Sequence, residues 1–242
     1  MSDTQLPDPP QLPEIDTFGE PLELLIPIPI EDNGEPLVDV FDYSPDLRWF
    51  GETNARFDFP RYGLGRESLA KMLANAQSLL PQGLHLQIIG VFRPFATQKA
   101  MYDIVKAEQR EKNPHWSEEF LIQYINVFSA PPIWDTPPPH TTGGAVDLGI
   151  VDKNGERLDF VSPYAMGWDS APFAKEGLSD EARKNRDLLS GVLTESGLTN
   201  FRGEWWHWSY GEPGWALRGG HRAALYGAIP DDEIPAWTPP QQ

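Results

Sequence analysis

Apolar residues recur every three or four positions from residue 66 to 80, as Leu69, Met72, Leu73, Ala76, Leu79 and Leu80. That spacing predicts an amphipathic helix ended by Pro81 and Gly83. The period then falls to two: Leu84, Leu86 and Ile88 alternate with His85 and Gln87, predicting a strand over Leu84–Phe92. A second helix is expected over roughly 95–111. A third begins after the N-cap candidate Ser117, carries Glu118 and Glu119 in its first turn, and presents Phe120, Leu121, Tyr124, Ile125 and Phe128. Five prolines in Ala130–Pro139 demand a loop. Residues 145–160 read as a hairpin, with Val146, Leu148 and Ile150 alternating and Asn154-Gly155 at the turn. A last helix is expected over about 180–195, capped by Ser179 and followed by Gly197. The aromatic run Glu204–Tyr210 reads as a strand. Helices mixed with a small, mostly antiparallel sheet give the α+β class.

The N-terminal 36 residues follow neither period. Eight prolines and many acids make them an extended arm, with Leu22–Ile30 as its one apolar stretch. The division is therefore an acidic, Pro-rich arm at 1–36 and one domain at 37–242, with the arm expected to be dispensable for chemistry. Residues 1–60 hold 14 acidic side chains against Arg48 and Arg56, so most of the net charge of −17 sits there. Such acidity argues against nucleic acid or an anionic membrane as a partner. No cysteine is present, which excludes disulfides and thiolate metal sites. The first residues lack a basic-then-apolar leader, and Leu22–Ile30 is short and broken by Pro27 and Pro29. A cytoplasmic protein is the simplest reading, or a periplasmic one if a leader had been removed. The oligomeric state is left open.

Two segments 60 residues apart carry candidate chemistry: His140-Thr-Thr-Gly-Gly-Ala-Val-Asp147 and Glu204-Trp-Trp-His207. A catalytic zinc needs three protein ligands and an open position for water, and a base to deprotonate that water. His140, Asp147 and His207 can be the ligands of one zinc per chain, and Glu204 the base. His140 and Asp147, seven apart, would point to opposite faces of a continuous strand, but Gly143-Gly144 lets the chain bend between them. Glu204 and His207, three apart, require a bulge or tight turn. Trp205, Trp206 and Trp208 would wall the site, and Trp206 is a candidate substrate contact. Clustered tryptophans also fill cores, and a lone histidine is ordinarily structural; His85 and His115 are read as structural.

These residues resemble the zinc D-Ala-D-Ala dipeptidases of the VanX type. That family lies within a wider group that includes D-alanyl-D-alanine carboxypeptidases and Hedgehog-like domains. The resemblance rests on His140-x-x-Gly143-x-Ala145-x-Asp147, Glu204-Trp205-Trp206-His207 and Arg93-Pro94 at a strand end, and spans about residues 47–210. It implies hydrolysis of D-Ala-D-Ala or a similar short cell-wall-derived peptide, with the three ligands and Glu204 in the roles just given. Arg93 would stabilise the oxyanion. Two departures stand out. Pro138 occupies a position where many members have serine. The Met166–Asp169 segment is shorter than in many members, leaving Asp169 as the candidate contact for the substrate ammonium. The rival readings are a D,D-carboxypeptidase or peptidoglycan endopeptidase of the same fold, and a non-catalytic zinc-stabilised binding domain.

Overall fold

The computed structural model describes residues 20–51, 57 and 59–240; the first half of the arm lies outside them. In chain order come a one-turn helix α1 (Leu22–Leu25) and strands β1 (Leu37–Asp39), β2 (Arg48–Trp49) and β3 (Leu64–Arg66). Helix α2 (Glu67–Leu79), strand β4 (Leu84–Gly90) and helices α3 (Phe95–Lys112) and α4 (Glu118–Phe128) follow. The chain continues through β5 (Ala145–Asp152), α5 (Asp180–Glu195), β6 (Thr199–Asn200), β7 (His207–Ser209) and α6 (Pro213–Gly219). One sheet has the order β2-β4-β5-β7-β6, parallel only between β2 and β4, and β1 pairs with β3 in a separate ribbon. The class is α+β, with the sheet mostly antiparallel.

The alternation in the two long strands decides which face does what. Leu86 and Ile88 of β4 and Val146, Leu148 and Ile150 of β5 are fully buried against Leu69, Leu73 and Ala76 of α2 and Leu189 and Leu193 of α5. Burying each such side chain contributes about 1.5–3 kcal/mol. Because successive side chains point to opposite faces, Asp147 faces away from that layer. Helices α3 and α4 pack on each other through Tyr102, Trp116, Leu121 and Ile125, a small core of their own. The expected caps are in place: Ser117 Oγ accepts from Phe120 N at 3.1 Å, and Ser179 Oγ from Ala182 N at 3.0 Å.

Three local expectations change. The chain reverses at Asn154-Gly155, with Gly155 at φ +84°, but the return leg is a single bridge between Val151 and Arg157. Asp159 then accepts from the Val161 and Ser162 amides and turns the chain off the sheet edge. Helix α5 is not the last, since α6 follows; Pro213 at its first position and Glu212 as its cap start it. Only His207–Ser209 of the aromatic run is strand, and residues 204–206 form a turn.

Residues 20–36 pack on the domain. Ile30 bridges Ala224, Asp32 pairs with Arg66 at 2.9 Å, and Glu35 accepts from Ser68 N and from Tyr226 Oη, both at 2.9 Å. Among the described residues no helix is long and apolar enough to cross a membrane.

Candidate active site and metal centre

Asp147 and His207 are direct partners across β5 and β7, so their side chains share a face and meet. His207 Nδ1 lies 3.0 Å from Asp147 Oδ1. His140 arrives from the 3-10 turn Pro139–Thr142, which Gly143 ends in the left-handed region at φ +72°. Neither following glycine has room for a side chain: a Cβ on Gly143 would strike Leu37, and one on Gly144 the Tyr210 carbonyl. The bend they make brings His140 Nε2 to 3.3 Å from Asp147 Oδ2. The β4 residue beside Asp147 is Gly90, so no side chain crowds the carboxylate from that side.

The three residues present ligand atoms all within 4.8 Å of one another. Four ligands placed tetrahedrally about 2.0–2.1 Å from a zinc ion stand roughly 3.3 Å apart, close to the two contacts observed. A carboxylate oxygen and a ring nitrogen at such a distance need a proton or a cation between them. His140 Nδ1 is committed to the Val91 carbonyl at 2.6 Å, which makes it the protonated nitrogen and leaves the Nε2 lone pair directed at Asp147. Burial pushes the Asp147 carboxyl up, but the imidazoles of His140 and His207 outweigh it and hold the group well below the usual carboxylate range. The donor set is that of a two-His, one-carboxylate site with no competing thiolate, and it fits a metal ion.

Glu204 belongs to a tight turn. Its amide bonds the Phe201 carbonyl at 3.0 Å, and its carbonyl accepts from His207 N at 3.2 Å. Asn200 Nδ2 clamps the turn by donating to the carbonyls of Glu204 and His207, at 3.0 and 2.9 Å. Burial raises the Glu204 carboxyl to about 7; Asp147 also raises it, while His207, Arg93 and the Trp206 hydrogen bond pull it back. A carboxyl poised there is protonated or free in comparable measure at neutral pH, as proton transfer requires. Arg93 follows β4 and lines the same pocket; its NH1 donates to Gln98 Oε1 at 2.6 Å, while its amide donates to the His140 carbonyl at 3.1 Å. Asp147 and Glu204 both act on its guanidinium.

The pocket has a volume of about 870 Å³ and is lined by His140, Asp147, Glu204, Trp206, His207 and Arg93, with α3 and α4 forming one wall. These are six of the seven expected site residues. Asp169 is not among them: it is exposed on the 3-10 turn Trp168–Ser170, whose Trp168 does line the pocket. Of the three tryptophans expected as walls, only Trp206 serves. Trp205 stacks on Phe160 at 4.3 Å, Trp208 donates to the Trp205 carbonyl, and both are buried in the core.

Sequence reasoning missed the supports. Arg66 is buried and donates to the Thr142 carbonyl at 2.9 Å, while its amide bonds the Gly143 carbonyl at 2.8 Å. It therefore ties the His140 loop to the arm through Asp32. Gln98 joins Arg93 to the Ala130 carbonyl. Each of these partners is remote in sequence and belongs to no short motif.

Residues 47–221, well over half of the chain, match the model of peptidase family M15, D-ala-D-ala dipeptidase. A D-alanyl-D-alanine dipeptidase of Synechocystis is 27% identical over 253 residues, an alignment that covers 88% of this chain and 99% of that protein. A D-alanyl-D-alanine dipeptidase of Escherichia coli is 29% identical over 140 residues, 58% of this chain and 61% of that one. Among solved structures, a Zn(II) complex of the vancomycin resistance D,D-pentapeptidase VanY aligns with a TM-score of 0.40 and 14% identity, over 74% of this chain and 96% of that one. The chain belongs to the M15 D-Ala-D-Ala dipeptidase family and is a hydrolase of the metallopeptidase class.

Proposed function

We propose that this protein is a zinc dipeptidase whose substrate is D-Ala-D-Ala or a close cell-wall-derived relative, with His140, Asp147 and His207 as the zinc ligands. The observation that carries the reading is the convergence of His140 and His207 on Asp147, beside a partly buried Glu204 raised to about 7, inside one pocket. Zinc, when bound, supplies Lewis acidity that polarises a carbonyl and makes water a better nucleophile at neutral pH. Glu204 accepts the proton of the attacking water and delivers it to the leaving amine. Arg93, fixed by Gln98, holds its guanidinium towards the carbonyl oxygen and stabilises the charge that develops there. Trp206 hydrogen-bonds Glu204 and keeps that carboxyl in a poorly solvated setting. The names of the family and of both dipeptidase relatives support the substrate class.

The test is release of free alanine from D-Ala-D-Ala and L-Ala-L-Ala by the zinc-reconstituted protein. Turnover of the D,D-dipeptide that disappears with a chelator is expected. A fully zinc-loaded protein that leaves D-Ala-D-Ala intact would overturn the reading. The pocket extends along α3 and α4 past Met101 and Val105, further than the cluster at the ligands. That extension favours, as a second reading, a longer peptide ending in D-Ala-D-Ala. Faster turnover of such a pentapeptide than of the dipeptide would establish it.

A further inference from the structure

Glu20 lines the active-site pocket although it lies in the arm and has no motif around it. Its Oε1 pairs with Arg218 of α6. The guanidinium of Arg218 also donates to Glu212 Oε1 at 3.1 Å and to Thr199 Oγ1 at 3.0 Å, and bonds Ser209 Oγ. Glu212 is fully engaged: one oxygen takes Ser209 Oγ and Trp215 N, both at 2.6 Å, and the other takes Gly214 N at 2.5 Å. Glu20 is not. Its Oε2 accepts no hydrogen bond from the described residues and lies over Gly214, where any Cβ would collide with it. Two carboxylates share one guanidinium, so the cluster carries one uncompensated negative charge in a mostly enclosed wall. Burial pushes the Glu20 carboxyl up, Arg218 draws it down, and Glu212 pushes it up again; the net direction is upward. A cation arriving at Oε2 would relieve that imbalance.

Position says which cation. Ser209 stands two residues beyond His207 in β7, so both side chains share a face, about 6.6 Å apart along the strand. In a free dipeptide the α-ammonium nitrogen is about 2.5 Å from the carbon of the scissile carbonyl. A charge-assisted hydrogen bond adds about 2.8 Å more. An ammonium bound at the Glu20 end of the pocket thus leaves its own residue's carbonyl near the pair Asp147–His207. Asp169, the acid expected for this contact, is exposed and away from the pocket lining.

We propose that Glu20, held by Arg218, selects substrates with a free α-ammonium on the residue whose carbonyl is attacked. The proposal rests on the peptidase reading above. It also makes the arm from residue 20 onward part of the active site instead of a dispensable extension.

The experiment compares D-Ala-D-Ala, N-acetyl-D-Ala-D-Ala and D-Ala-D-Ala amide with the wild type and Glu20→Gln, both zinc-loaded and with zinc content measured. Glu20→Gln keeps the shape and removes the charge. It should raise KM for D-Ala-D-Ala on the order of 10–100-fold, the effect of losing a hydrogen bond between charged groups. It should leave the acetylated peptide unchanged, so discrimination between the two collapses. An equal loss on free and acetylated peptides would show a merely structural role and overturn the proposal, as would no change on either. An effect abolished by the C-terminal amide instead would assign the cluster to the substrate carboxylate through Arg218, and would overturn it too. If the wild type hydrolyses none of the three, the peptidase reading fails. The same ligands titrated calorimetrically into the zinc-loaded chains still decide about Glu20. Tighter binding of the free than of the acetylated dipeptide by the wild type, lost in Glu20→Gln, supports it; wild-type binding that ignores acetylation overturns it.

Discussion

Raising the pH of the zinc-free protein from 5 to 8 should expose the strain stored at Glu204. Its carboxyl ordinarily titrates near 4.5 and is raised to about 7 in the folded chain, chiefly by burial. A raised carboxyl holds its proton more tightly in the folded than in the unfolded state. The associated stability is fully present below about 4.5 and is lost as pH climbs through 7. A difference of about 2.5 pH units corresponds to roughly 3 kcal/mol. For a chain of this size that is on the order of 6–12 °C in Tm. The assay is urea unfolding at pH 5, 6, 7 and 8 of the wild type and of Glu204→Gln, which has the same shape and no charge. The difference between the two cancels titrations they share. Stability of the wild type relative to the variant should fall by roughly 3 kcal/mol across the window, and zinc should reduce the fall because a nearby cation favours the carboxylate. A wild-type-minus-variant difference that stays flat from pH 5 to 8 would refute a poorly solvated Glu204 poised near neutrality, and with it the physical case for that residue as the base.

Glu204→Ala and Glu204→Gln should retain stoichiometric zinc and lose about 10²–10⁴-fold in kcat, whereas His140→Ala should lose zinc itself; elemental analysis beside steady-state kinetics separates the two. Arg93→Ala should lower kcat by roughly 10²–10³-fold with a small change in KM, and a large KM rise at constant kcat would move Arg93 to ground-state binding of the substrate. Arg66→Ala strips a buried hydrogen bond from Thr142 and a half-buried ion pair from Asp32 and should destabilise the fold by about 2–4 kcal/mol in urea unfolding; an unchanged midpoint would remove Arg66 as the tie between arm and metal loop.

The elements that were legible in the sequence are those whose signals are local. Leu69, Leu73 and Ala76 share a helical face, Ser117 and Ser179 sit next to the turns they cap, and Leu84–Ile88 alternate because one face of β4 is buried. Strands β2 and β6, two residues each, are too short for any period and exist through their neighbours in the sheet. The aromatic run at 204–210 misled for a related reason: tryptophans satisfy both a strand and a packed turn, and Asn200 decides for the turn. The positions of His140, Asp147, Glu204 and His207 were legible because only a metal-directed chemistry needs those types so close together, with Gly143-Gly144 marking the bend. The supporting network was not. Arg66 reaches Thr142 across 76 residues, and Arg218 reaches Glu20 across 198; nothing in the neighbourhood of either residue announces its partner. Asp169 was expected on resemblance, and its exposure follows from the short turn that carries it, which points Trp168 instead of the acid towards the pocket.

His140, Asp147 and His207 together should hold one zinc ion within reach of Glu204. Anomalous diffraction at the zinc edge from crystals of the zinc-loaded protein tests it most directly. One strong peak per chain is expected, about 2.0–2.2 Å from a ring nitrogen of each histidine and from an Asp147 oxygen. A zinc-loaded crystal with its peak elsewhere, or with any of these three side chains turned away from it, would contradict the claim.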